Sequence, residues 1–207
     1  MNFLEHIIQY KIVAILRGID SKHILQVAEA LHRGGVVTIE VTLNSPNALQ
    51  SIQLLANAFE NKLLVGAGTV LTAQQAIEAI EAGAKFIISP IVDIPTIQRT
   101  KHLGAISIPG AFTATEIVQA YNAGADIIKL FPATVGAHYL KDIKGPLPNI
   151  PIMPTGGVDI NSIQAFKQAG AVAFGIGSAL VKATEEVDET YLNGITEKAQ
   201  QFVAAIQ

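Results

Sequence analysis

Eight short apolar runs, rich in β-branched residues, recur at fairly even spacing: "KIVAILRG", "VVTIEVTL", "KLLVGAGTV", "KFIISP", "GAISIPG", "DIIKLFP", "IPIMPTGG" and "VAFGIGS". Between them lie segments of helical pattern, among them "SKHILQVAEALHRGG", "TAQQAIEAIEAGA", "TATEIVQAYNAGA" and "NSIQAFKQAGA". These open on Ser, Thr or Asn and close on Gly, the residues preferred at helix starts and stops. The tripeptide "AGA" returns at 82–84, 123–125 and 169–171, each time placing a helix-ending glycine before the next apolar run. Strands that alternate with helices run parallel, because each helix carries the chain back to the end of the sheet where the previous strand began. Eight such units close most naturally into a (β/α)8 barrel, and 207 residues is near the short end for one. An open doubly wound sheet would have fewer strands and a glycine-rich turn after the first, which "AILRGID" is not. With no linker or low-complexity stretch, the expectation is an α/β chain whose residues 1–207 form a single TIM barrel.

Composition narrows the function. Hydrophobic residues make up 50% of the chain and charged ones 15%, which suits buried parallel strands and subunit contacts and leads to the expectation of a homo-oligomer. A net charge of −3 with no basic run gives no electrostatic footprint for nucleic acid or an anionic membrane. The absence of cysteine removes disulfides and thiolate chemistry. "MNFLEHIIQYK" carries an acid early and no long apolar run, unlike a signal peptide, and no stretch is long and apolar enough to span a bilayer. A cytoplasmic protein is expected.

In a barrel, ligands meet the carboxyl ends of the strands. The stretch "DIIKLFPA" sets Lys129 among Ile127, Ile128, Leu130 and Phe131. A buried ammonium without a partner is costly, so Lys129 is at a wet strand end, paired, or kept neutral. In "TIEVTL", Thr38, Glu40 and Thr42 share one face and Ile39, Val41 and Leu43 the other; with the apolar face on the helices, Glu40 points inward. Arg17 ends the first strand, Thr69 the third and Thr155 the seventh. By default each is bland: a solvated or salt-bridged lysine and glutamate, a surface arginine, two ordinary strand threonines. Their convergence at one barrel end is what imine chemistry needs, a neutral amine to attack a ketone and a carboxylate to move protons.

The glycines form a second set. "TGG" with Gly156 and Gly157, and "GIGS" with Gly177 and Ser178, follow the seventh and eighth strands, where barrels commonly cradle phosphate in backbone N–H groups. His6, His23, His32, His102 and His138 form no convincing ligand array and are read as solvated; no metal or other cofactor is expected.

Together "VAILRG", "IEVTLNSP", "VGAGTVL", "FIISP", "IPGAFTATE", "IKLFPA", "PTGGV" and "GIGSAL" closely resemble the 2-keto-3-deoxy-6-phosphogluconate and 4-hydroxy-2-oxoglutarate aldolases, nearly end to end. The resemblance implies a class I lyase on a (β/α)8 barrel, typically homotrimeric and placed in carbohydrate metabolism in the Entner-Doudoroff pathway. It implies Lys129 as the Schiff-base residue, Glu40 as general acid/base, and the substrate phosphate near Gly156, Gly157, Gly177 and Ser178. Arg17, Asn44, Thr69, Pro90 and Thr155 complete the implied substrate site.

Two positions divide the family's branches. Asn44 in "LNSP" resembles the galactonate branch, in which Arg17 can take the carboxylate, whereas Thr155 in "PTGG" resembles the gluconate branch. The expected reaction is reversible cleavage of 2-keto-3-deoxy-6-phosphogluconate to pyruvate and glyceraldehyde 3-phosphate. The galactonate epimer and 4-hydroxy-2-oxoglutarate are the alternative substrates; a phosphosugar-binding barrel or an isomerase are the alternative classes.

Overall fold

The computed structural model describes residues 2–184 and 186–207. Its strands lie within the apolar runs: β1 (Ile12–Leu16), β2 (Thr38–Thr42), β3 (Leu64–Gly68), β4 (Phe86–Ile88), β5 (Ile106–Ile108), β6 (Gly110–Ala111), β7 (Ile128–Leu130), β8 (Ile152–Pro154) and β9 (Phe174–Ile176). All pair in parallel, in the orders β5-β4-β3-β2-β1-β9 and β6-β7-β8. The two sheets join at both edges. β5 and β6 are one run interrupted at Pro109, which has no N–H to give the ladder, although its carbonyl accepts from the Lys129 amide at 2.9 Å. At the other edge Thr155 bridges Gly175, and the Val172 amide donates to the Ile152 carbonyl at 3.0 Å. The strands thus fill eight positions of a closed barrel, and the open-sheet alternative is excluded.

Around it run α2 (Ile24–Arg33), α3 (Ala48–Ala58), α4 (Ala73–Glu81), α5 (Ile94–His102), α6 (Ala114–Asn122), α7 (Ala137–Lys144), α8 (Ile163–Gln168) and α9 (Glu189–Ile206), after an N-terminal α1 (Phe3–Tyr10). Thr72 and Thr113 cap α4 and α6 through the amides of Gln75 and Glu116, as the sequence predicts. The other two starts differ. α2 begins at Ile24 behind an uncapped His23, not at Ser21. Before α8 the acceptor is Asp159, whose carboxylate takes the amides of Asn161 and Ser162 at 3.0 and 2.8 Å, the turn chemistry a short acidic side chain favours. The three "AGA" glycines, with φ of 112°, 103° and 95° at Gly83, Gly124 and Gly170, take the left-handed turn expected of them.

Strand alternation divides the core in two. Ile39, Val41, Ile128, Leu130, Phe174 and Ile176 face outward to the helices. Val13, Leu64, Phe86, Ile88, Ile106, Ile108, Ile127, Met153 and Ala173 fill the interior, and Ile7 of α1 joins them with no exposed surface. Helix α1 therefore stoppers the amino-terminal end of the barrel. It is held by a capping box in which Asn2 and Glu5 exchange bonds of 2.8 and 3.1 Å.

If Ile7 is the stopper, Ile7→Ala will lower unfolding free energy by about 2–5 kcal/mol. Exposed Gln9→Ala on the same helix will stay within about 0.5 kcal/mol of wild type. Urea midpoints for the two variants test this.

Candidate active site

Lys129 sits mid-strand in β7 between two outward residues, so its side chain enters the barrel, where it is 2% exposed. Of the three fates open to it, the wet end is excluded. Pairing is too: the ion pairs among the described residues, Lys22–Asp20 and Lys101–Asp126, do not include it. Its Nζ instead lies 4.7 Å from the centroid of the Phe131 ring. Burial pushes its pKa down, the positive charge of Arg17 pushes the same way, and Glu40 opposes them. The amine is thus biased toward its nucleophilic form.

Glu40 is 1% exposed, and neither carboxylate oxygen has a hydrogen-bond partner among the described residues. Desolvation raises its pKa against the pull of Lys129 and Arg17. A buried acid and a buried amine displaced in opposite directions can exchange a proton without changing the charge of the interior. Space for the acid comes from the neighbouring strand. Glu40 pairs in register with Gly66, and its carboxylate overlies Gly68, where an added Cβ would collide with it. Thr155 is accommodated likewise by Gly175 across the seam, and its hydroxyl, 4% exposed as a residue, has no partner among the described residues.

A cavity of about 560 Å³ opens at this end, lined by Arg17, Lys129, Phe131, Thr155, Gly156, Gly157, Gly177 and Ser178, among others, a volume that suits a small organic ligand. Gly156 and Gly157 have φ of 81° and 85°, and their missing side chains let the chain pass against Phe131 and Thr134. Glu40, Asn44, Thr69 and Pro90 are not in the lining. Asn44 is exposed, while Thr69 and Pro90 are half-buried just past β3 and β4, at the same end of the barrel. Thr69 has φ of 55°, a left-handed backbone rare for a β-branched residue and of the kind that clusters at functional sites.

Phe131, Gly68 and Gly175 went unassigned in the sequence. Two-residue alternation from Lys129 points to Phe131, and glycine inside a strand signals close approach by another group. One expectation needs correction. His6 is half-buried rather than solvated: its ring packs 4.6 Å from Tyr10, its Nε2 is buried, and desolvation lowers its pKa. Among the described residues no three of His, Asp or Glu gather as metal ligands.

With this geometry in place, comparison with known proteins identifies the family. Residues 4–196 match the family model described as KDPG and KHG aldolase. The chain belongs to that family. This aldolase is 35% identical over 196 residues to the 2-dehydro-3-deoxy-6-phosphogalactonate aldolase of Escherichia coli K12, covering 94% of this chain and 93% of that one. It is 34% identical over 198 residues to the 2-dehydro-3-deoxy-phosphogluconate aldolase of Pseudoalteromonas atlantica, covering 95% and 91%. Among solved structures, the KDPG aldolase of Legionella pneumophila, with pyruvate captured as a covalent carbinolamine, superposes with a TM-score of 0.82. It is 31% identical, covering 92% of this chain and 93% of that one.

Gly68→Ala puts a methyl where the Glu40 carboxylate lies. We expect aldol cleavage to fall by about 10²-fold, the scale of a 1 Å misplacement, with an unchanged far-ultraviolet dichroism spectrum.

Glu40→Gln removes the charge that sustains Lys129 as an ammonium. The Lys129 pKa should therefore fall further, and reductive methylation of the Lys129 peptide, followed against pH, should reach half-maximum at lower pH than in wild type.

Proposed function

We propose that the protein is a class I aldolase that reversibly cleaves 2-keto-3-deoxy-6-phosphogluconate to pyruvate and glyceraldehyde 3-phosphate through a Schiff base on Lys129. The observation that carries this reading is a buried, unpaired lysine with depressed pKa sharing the barrel interior with a partnerless carboxylic acid. The neutral Nζ attacks the C2 ketone, and the carbinolamine loses water to give an iminium. Glu40, as carboxylate, takes the proton of the C4 hydroxyl while the C3–C4 bond breaks; its electrons pass to the iminium, leaving the enamine of pyruvate and a free aldehyde. Glu40 returns the proton to C3, and water releases pyruvate and regenerates the amine.

Arg17 takes the carboxylate, with Asn44, Thr69 and Pro90 around the pyruvate end. The phosphate rests on the backbone of Gly156, Gly157, Gly177 and Ser178 and on the Ser178 hydroxyl. The identities to relatives named for the two epimers, 35% and 34%, are too close to choose between them. The unpartnered Thr155 hydroxyl favours the gluconate epimer, whose C4 oxygen it can meet.

We read residues 1–207 as one domain and the protein as cytoplasmic, in the Entner-Doudoroff pathway. Among the described residues no helix is long and apolar enough to cross a membrane. Exposed Leu71, Ile91 and Ile94, at 44%, 47% and 37% just past β3 and β4, support association into a homotrimer.

Borohydride with pyruvate should add irreversible mass to the Lys129 peptide, and labelling elsewhere, or none in active enzyme, would overturn the assignment. Glu40→Gln should lower turnover by about 10²- to 10⁴-fold, with pyruvate proton exchange falling in parallel.

For Thr155→Val, the ratio of kcat/KM between the two epimers should move toward the galactonate substrate by about 1–3 kcal/mol. A wild type that already prefers galactonate would remove Thr155 as the selector.

A further inference from the structure

Arg17 lies just beyond β1, exposed, and its guanidinium makes no hydrogen bond or ion pair among the described residues. Nothing on its own side chain fixes where it points. The two peptide groups that flank it, however, are both held by β2 and the turn after it. The Gly18 amide donates to the Ser45 hydroxyl at 2.8 Å. Ser45 Oγ and Thr42 Oγ1 are 2.9 Å apart, and Thr42 Oγ1 reaches the Leu16 carbonyl at a weaker 3.5 Å.

A single proton arrangement satisfies all three contacts. Ser45 accepts from the Gly18 amide and donates to Thr42, which donates to the Leu16 carbonyl. The chain of bonds begins and ends on the backbone either side of Arg17. It is also dry, Thr42 being 0% and Ser45 8% exposed, where neutral hydrogen bonds are strong and breaking one leaves a costly orphan. The turn that carries Ser45 is closed by its own amide, which donates to the Thr42 carbonyl at 2.9 Å.

We propose that Thr42 and Ser45 are positioning residues, a hydroxyl clamp that sets the backbone of Arg17 and so aims its guanidinium at the carboxylate of the keto acid. The proposal rests on the reading of Arg17 as the carboxylate's partner. The clamp itself contains no titratable group. It acts on binding of the acid, and neither of its hydroxyls bonds to Lys129.

The test is the concentration dependence of borohydride trapping on Lys129, with pyruvate and with its neutral amide, pyruvamide. In Ser45→Ala, read at alkaline pH where the Lys129 amine is neutral with or without Arg17 beside it, the half-saturating pyruvate concentration should rise about five- to tenfold, with the trapping rate at saturation unchanged. Pyruvamide trapping should not change, and Ser45→Thr should restore the wild-type value for pyruvate. Thr42→Val, which removes the bond to the Leu16 carbonyl and the acceptor of the Ser45 hydroxyl but keeps the Gly18 amide on Ser45, should show a smaller rise. Ser45→Ala should add nothing in an Arg17→Ala background, since both remove the same contact. Equal losses for pyruvate and pyruvamide, unchanged pyruvate saturation, or additivity with Arg17→Ala would overturn the clamp. A wild type that pyruvate does not trap would overturn the aldolase reading itself, and with it the clamp.

Discussion

Everything at the carboxyl end of this barrel follows from one electrostatic constraint: an amine and an acid share an interior too dry to hold either charge cheaply. Burial lowers the affinity of Lys129 for a proton and raises that of Glu40, and each charged form stabilises the other. One proton can therefore pass between the two without changing the net charge of the interior. Arg17 disturbs this balance from the rim, favouring the charged acid and the uncharged amine at once. An arginine suited to holding a carboxylate thereby also helps keep the lysine nucleophilic.

The constraint reaches into the sequence through glycine. Side chains as large as Glu40 and Thr155 fit inside a barrel of eight strand positions because adjacent strands give up theirs at Gly68 and Gly175. Glycine in a strand weakens it, and the stability lost there is offset at the other end, where Val13, Phe86, Ile106, Ile127 and Met153 form one cluster with Ile7 of α1. Reactivity and cohesion occupy opposite ends of the same strands.

Much of this was legible beforehand, because period-two and period-3.6 patterns record which face of each element meets the core. The alternation in "TIEVTL" alone turns Glu40 inward, whereas "DIIKLFP", apolar on both sides of Lys129, leaves the lysine's fate to the packed structure. What escaped notice depends on contacts between residues distant in sequence. Nothing local in "FLEHIIQY" says that Ile7 closes a barrel, or that Pro109 divides one strand between two sheets. The partners of Thr42 and Ser45 lie 26 and 27 positions back, at Leu16 and Gly18. A single sequence does not display a bond across that separation.

The stopper at α1 has a kinetic meaning. With Ile7 filling the amino-terminal end, the cavity above it opens at the carboxyl end. In the proposed reaction the three-carbon acid stays tethered to Lys129 as its enamine, while the phosphorylated aldehyde is held by no covalent bond. The aldehyde must leave first. Departure is thus ordered by the tether: the enamine stays behind as the species the next partner meets, and an aldehyde arriving in place of a proton turns the enzyme from cleavage to synthesis.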